Sequence, residues 1–275
     1  MSPFSGSVSM PSNWEHFRYE VADGVATVTL TRPDMLNALT FASYADLRDL
    51  LKALSQRKDA RVLVIRGEGK AFCSGGDVNE IIGPLLKMRP DELLEFTHMT
   101  GEVVKAMREC PLPIIAAVHG IAAGAGSVIA LAADFRLLSR SASFAFLFTR
   151  VGLAGADMGS AYLLPRIVGL GRATQLLMLG DTIDADSAER YGLVSQLVDD
   201  GELDDAVAAL ATRIAGGPFF AYAQTKALLS RELDMPLSGA IELEAMTQAL
   251  LMNSDDFAEF HAAFVGKRAP VWQGR

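Results

Sequence analysis

"GKAFCSGGD", residues Gly69 to Asp77, follows the apolar run "RVLVIRG" and has almost no side chains of any size. A second stretch, "HGIAAGAGSVIALAADF" from His119 to Phe135, repeats the arrangement about fifty residues later. Each reads as a strand turning into a helix through glycine. Such a turn leaves the first N–H groups of the helix without acceptors, and the helix dipole adds positive potential at the same place. It therefore favours an anion or a developing oxyanion. Gly75, Gly76, Gly124 and Gly126 also permit tight turns with positive φ, which is the whole content of either motif taken alone. As a pair, with the small neighbours Ala71, Ser74, Ala122, Ala123 and Ala125, the turns can supply a two-donor hole.

Outward from the turns, the hydrophobic period switches repeatedly between two and about 3.6, the mark of alternating strands and helices. "GVATVTLTRP" alternates as a strand and stops at Pro33; "FASYADLRDLLKALSQ" sets Tyr44, Leu47, Leu50, Leu51 and Leu54 on one helical stripe. Helical segments are expected at 78–86 and 90–109, and strands over "LPIIAAVHG", "ADFRLLS" and "SASFAFLF". "LPIIAAVHG" is apolar throughout, as a strand covered on both faces would be. Beyond Asp157 helical patterns dominate, with "LVSQLV" as one strand-like interruption. The expected organisation is a mobile leader at 1–13, an α/β core at 14–200, and a helical region at 201–275.

The chain has 275 residues, half of them hydrophobic, with a formal net charge of −8. That is enough to bury a full core. With no Lys/Arg-rich block to release counterions, nucleic acid is not an expected partner. Two cysteines, Cys73 and Cys110, make no disulfide framework, and the first residues lack a signal-peptide pattern, so the expected location is the cytoplasm. No apolar run reaches the length of a membrane span.

Other uses of the glycines fit poorly. A dinucleotide fingerprint would need glycine where Ile129 stands, and neither turn carries the Gly-Lys-Ser/Thr of a P-loop. A nucleophile elbow at Ser74 would need glycine at Phe72. His16, His98, His119 and His261 are isolated from one another and from the cysteines, which leaves no metal spacing.

Several stretches in order, "TVTLTRPDMLNALT", "GKAFCSGGDV", "PIIAAVHGIAAGAGSVIALAADFR", "GADMGSAYLLPRIVG", "AERYGLVSQLV" and the ending "FVGKRAPVW", resemble the crotonase (enoyl-CoA hydratase/isomerase) superfamily over roughly residues 14 to 270. The resemblance implies a spiral of repeated ββα units with a C-terminal helical trimerisation region. It further implies a homotrimer or hexamer and an acyl-CoA thioester as substrate, with coenzyme A entering as part of that substrate and no separate cofactor. The oxyanion hole would be the backbone N–H groups of Gly76 and Ala125, where alanine replaces a frequent glycine. Ala71, Cys73, Ser74 and Asp77 would surround it, and Arg32 and Lys267 would reach the coenzyme A. Met35 stands where the family often has lysine.

The departures matter as much. Hydratases of the family carry two glutamates; here Val128 occupies the first position and Phe148 the second, or Leu147 if the loop is shifted by one. Neither side chain can transfer a proton. Asp157 matches an aspartate that some relatives use as proton carrier or nucleophile. It opens "DMGSAYLLPR", so it also reads as a helix N-cap receiving the N–H of Gly159 or Ser160, an arrangement that would hold its pKa near or below the ordinary carboxylate value. The reaction classes left open are hydration or double-bond isomerisation, aspartate-dependent hydrolysis or substitution on an unusual or aromatic acyl-CoA, and acyl-CoA binding without catalysis. His98 reads as a surface or packing residue, Arg150 as the partner of a surface acid, Glu80 as a helix-start acid, and Cys73 as a packing group rather than a nucleophile.

Overall fold

The computed structural model describes residues 14–275. The leader expected over 1–13 lies outside the described residues. In chain order the elements are β1 (Phe17–Ala22), β2 (Val25–Leu30), α1 (Phe41–Leu54), β3 (Val62–Gly67), α2 (Gly83–Leu85), α3 (Pro90–Glu109), β4 (Ile114–Val118), β5 (Ile121–Ala123) and α4 (Ala125–Ala132). Then come β6 (Phe135–Ser139), β7 (Ser143–Ala145), α5 (Ser160–Val168), α6 (Leu170–Leu179), β8 (Thr182–Asp184), α7 (Ala185–Arg190) and β9 (Gln196–Val198). Four helices close the chain: α8 (Leu203–Ala215), α9 (Phe219–Glu232), α10 (Leu237–Met252) and α11 (Asp255–Val265).

The main sheet has six strands in the order β1-β2-β3-β4-β6-β9, antiparallel at β1/β2 and parallel from β2 onward. The central strand β4 is apolar and buried at every position because both its faces are covered. Leu63, Ile65, Ile114, Ala116 and Val118 face the large core, which includes the inner stripe of α1. The alternate residues Val62, Val64, Ile115 and Ala117 pack with Leu203, Val207, Ala211 and Ile214 of α8. The stripe read on α1 is buried throughout, and Thr40 with Ser43 closes a reciprocal capping box at its start.

A second, shorter layer explains the spiral. After each of four successive parallel strands the chain makes a brief second pairing before its helix. Leu39 follows β2 and bridges to Gly76, Cys73 follows β3 and bridges to Ala122, and β5 follows β4 and pairs with β7, which follows β6. Each ββα unit therefore rests on the next, giving the α/β spiral expected of the sequence. The antiparallel strand β8 ends the layer.

Some elements differ from expectation. The segment 78–86 is a π-helical turn over Val78–Ile82 and the single turn α2 rather than one α-helix. The strand expected through "SASFAFLF" stops at Ala145, because both neighbours, β5 and β8, are only three residues long; Leu147–Val151 then winds into a 3₁₀ turn closed by Gly152 at φ +81°. The apolar stripes of the last two helices leave Leu237, Ile241, Met246, Leu250, Phe257, Phe260 and Phe264 exposed. No single helix among the described residues is long and apolar enough to cross a membrane.

Candidate active site

The two glycine turns are joined by backbone. Phe72 N–H donates to His119 O at 2.8 Å, Cys73 N–H to Ile121 O at 3.1 Å, and Ala123 N–H returns to Cys73 O at 2.9 Å. Gly126 has to lack a side chain, since a Cβ there would stand 2.2 Å from Cys73 O. On the other flank Leu39 N–H donates to Gly75 O and Asp77 N–H to Leu39 O, both at 2.8 Å. This alternation turns the intervening Gly76 N–H away from Leu39. Neither Gly76 N–H nor Ala125 N–H donates to a backbone acceptor among the described residues. Ala125 is also the first residue of α4, so the helix dipole adds to its donor.

Asp77 fixes the first turn from below. It is 2% exposed and accepts from Asn79 N–H at 2.9 Å and Glu80 N–H at 3.0 Å. Those amide bonds, Glu80's first, and Arg32 hold its carboxyl below the usual carboxylate range. Arg32 is committed here: its guanidinium donates to Ala38 O and to Glu80 Oε1, both at 2.6 Å, and stands 3.1 Å from Asp77 Oδ2. Arg32, expected as a basic side chain offered to coenzyme A, is thus also the ion-pair partner of the first turn. Its acceptors come from two other segments, which the sequence does not place beside it, and Glu80 is thereby an ion-pair partner as well as a helix-start acid. Asn37, which sequence reasoning passed over inside "NALT", is 1% exposed; it accepts from Arg32 N–H at 3.0 Å and donates to Glu68 O and Ala71 O at 2.9 and 2.8 Å. Its buried amide links the strand exit to the glycine turn.

Asp157 does not cap the following helix. Met158 and Gly159 both take left-handed φ, +50° and +86°, so the chain swings its carboxylate clear of the helix start at Ser160. The cap runs in reverse: Ser160 Oγ accepts the N–H of Asp157 at 3.1 Å and donates to Gly155 O at 3.2 Å. Among the described residues the carboxylate keeps one bond, from Met158 N–H at 2.8 Å. Burial then outweighs that bond and raises its pKa, opposite to what a capping role implies.

Val128 and Phe148, which the resemblance sets against the glutamate pair, are buried apolar side chains at 0% and 8% exposure, and neither they nor Leu147, the alternative to Phe148, can transfer a proton. Ala71 and Cys73 are sealed in the turn-to-turn ladder, and burial pushes the Cys73 thiol up to about 12, far from a thiolate. Ser74 is held by its N–H on Leu36 O at 2.9 Å and by its hydroxyl on Met35 O at 3.4 Å. His98 is exposed on α3, and Arg150 pairs with Asp181 at 2.9 Å. Lys267 is exposed just past α11, with φ +51°. A cavity of about 890 Å³, lined by Thr29, Arg66, Lys70, His119 and Ser141 among others, includes none of Gly76, Ala125 or Asp157 in its walls.

The order of turns and layers has many counterparts. The family model described as Enoyl-CoA hydratase/isomerase matches residues 20–275. A Rhodobacter capsulatus protein named "Probable enoyl-CoA hydratase" is 38% identical over 96% of this chain and 100% of its own. The 1,2-epoxyphenylacetyl-CoA isomerase of Escherichia coli K12 is 34% identical over 93% of this chain and 97% of its own. A crystal structure from Streptomyces coelicolor A3(2), provisionally assigned as an enoyl-CoA hydratase, superposes with a TM-score of 0.98 at 65% identity and covers the whole of both chains. With its family model spanning nearly the whole chain, and with the ββα spiral on which its two glycine turns meet, the protein belongs to the enoyl-CoA hydratase/isomerase family, the crotonase superfamily.

Proposed function

We propose that the protein turns over an acyl-CoA thioester through an enolate whose oxygen is held by the N–H groups of Gly76 and Ala125, with Asp157 as the proton carrier in place of a glutamate pair. The observation that carries this reading is the joining of two glycine turns, each with an N–H that no backbone acceptor among the described residues takes. Enolate formation places charge on the thioester oxygen, and two preorganised amides stabilise it without reorganisation, by roughly 3 to 4 kcal/mol each. Val128 and Phe148 leave no second carboxylate to position water, so movement of a proton along the acyl chain fits the site better than two-glutamate hydration. Asp157 supports the same reading. Its burial and raised pKa suit a group that takes a proton and returns it, and suit a nucleophile less well.

Arg32 and Lys267 are the basic side chains for the coenzyme A, with Lys267 reaching its phosphates across a subunit boundary. The decisive experiment is a panel of acyl-CoA thioesters incubated with the enzyme in ordinary and oxygen-18 water and read by liquid chromatography coupled to mass spectrometry, so that an isomer separates by retention time. An isomer of unchanged mass is the expected product. Oxygen-18 in the acyl product would point to hydration or hydrolysis instead, and binding without any product would leave a non-catalytic acyl-CoA carrier.

A further inference from the structure

Tyr44 belongs to the inner stripe of α1, yet its hydroxyl does not end in the core. The oxygen lies 3.7 Å from the position that a Cβ on Gly76 would take, although the residue is only 3% exposed. It makes no hydrogen bond to a described residue and, unlike the sealed Tyr19 hydroxyl, it is not closed off from the space around it. Its ring is fixed edge-on against Phe96 at 6.0 Å between centroids, and Phe96 in turn meets Phe41 at 5.2 Å. Burial, with the nearby Cys73 and Asp157 adding to it, holds the phenol proton far above its ordinary range. The group is therefore a neutral donor at any working pH.

A buried neutral donor that has no partner among the described residues calls for an acceptor. The thioester oxygen already has two amides, and a hydrocarbon acyl chain offers nothing further. We propose that Tyr44 determines substrate specificity: its hydroxyl donates to a second oxygen carried on the acyl group close to the thioester, so the enzyme selects oxygenated acyl-CoA thioesters over plain ones. The proposal rests on the acyl-CoA reading above. Hydrogen-bonding sites discriminate strongly against substrates that lack the matching atom, because the site group is then left unpaired.

The test compares acetoacetyl-CoA with butyryl-CoA, which differ in the oxo oxygen at C3, by titration calorimetry on the parent enzyme and on Tyr44→Phe. The parent should bind acetoacetyl-CoA about tenfold more tightly, the worth of one buried hydrogen bond. Tyr44→Phe should bring the two ligands to within about twofold while leaving butyryl-CoA affinity nearly unchanged. Equal affinity in the parent, a preference retained in the variant, or an equal loss for both ligands would each overturn the proposal; the last would make the phenol a support for the loop or for Asp157. Binding of neither ligand to the parent would overturn the acyl-CoA reading itself and this inference with it. Melting temperature checks the fold of Tyr44→Phe, and Tyr44→Met, which also lacks the hydroxyl, gives a second route to the same ratio should the first variant unfold.

Discussion

Gly75 and Gly124 meet backbone to backbone: a Cβ on Gly124 would lie 3.7 Å from the Gly75 Cα, and one on Gly75 would lie 3.0 Å from Ala123 O and 3.5 Å from Ala125 N. The two donors of the proposed hole are thus set by a contact between residues 49 positions apart, in which Gly75 at φ +102° and Gly124 at φ +50° take the left-handed backbone that glycine adopts most readily.

Gly75→Ala should damage both stability and turnover. Its φ of +102° costs an alanine about 1–3 kcal/mol, and the methyl must displace the carbonyl of Ala123, beside the Ala125 donor. Gly152→Ala is the control, because φ there is +81° but nothing lies within 4 Å of the added carbon. Both variants should melt below the parent, and only Gly75→Ala should lose activity beyond its unfolded fraction. Equal specific activity per folded molecule would detach the turn contact from catalysis.

Self-association is the second expectation. Leu237, Ile241, Met246, Leu250, Phe257, Phe260, Phe264 and Val265 remain exposed on α10 and α11, more apolar surface than isolated helices ordinarily show to water. Light scattering at micromolar concentration should give the mass of a trimer or a hexamer. A monomer would remove assembly from the account of these helices and with it the role of Lys267 across a boundary.

Much of this architecture can be read from local pattern. The continuous apolar runs of β3 and β4 are what two covered faces require, and the stripe on α1 matches its buried residues. The three-residue strands β5 and β8 carry no period of their own and exist only through their pairing with β7. Arg32 illustrates the same limit at the site: its bonds to Ala38 O and Glu80 arise from the fold and leave no mark in the local sequence. Tyr44 reads as one more core residue because helical spacing reports which face is buried and cannot report what the far end of the ring meets. Asp157 reads as a cap because the pair of left-handed residues after it includes Met158, a residue type that gives no warning of positive φ.

Arg32→Ala should destabilise the protein by roughly 2–3 kcal/mol at neutral pH, since it removes charge-assisted bonds to Ala38 O and Glu80 and leaves buried Asp77 with its two amides alone. Asp77 is held below its ordinary 3.8, so the stability it contributes is complete above that value and is lost as pH falls through its folded pKa. The gap between parent and variant, measured by urea unfolding, should therefore be wide at pH 7 and narrow towards pH 3. A gap of constant width would mean that Arg32 acts through Ala38 O and packing rather than through Asp77.

Asp157→Asn separates function from stability most directly. An asparagine oxygen can keep the bond from Met158 N–H, so the local turn should survive the change. Burial raises the Asp157 pKa, which means that the charged carboxylate penalises the folded state in full above that raised pKa, and the penalty fades as pH falls through it towards the ordinary value of 3.8, below which it is gone. Asparagine carries no such penalty, and the variant should melt at or above the parental temperature at pH 7, with the parent catching up as the solution is acidified. Turnover of whichever acyl-CoA the panel identifies should fall by at least the roughly 10²-fold typical of losing a general acid–base group, while binding of that thioester changes little. A variant that is no less stable and is catalytically silent would mark Asp157 as a residue kept for chemistry at some expense in folding. Parental turnover in that same variant would sink the aspartate mechanism and leave the two amides to act alone.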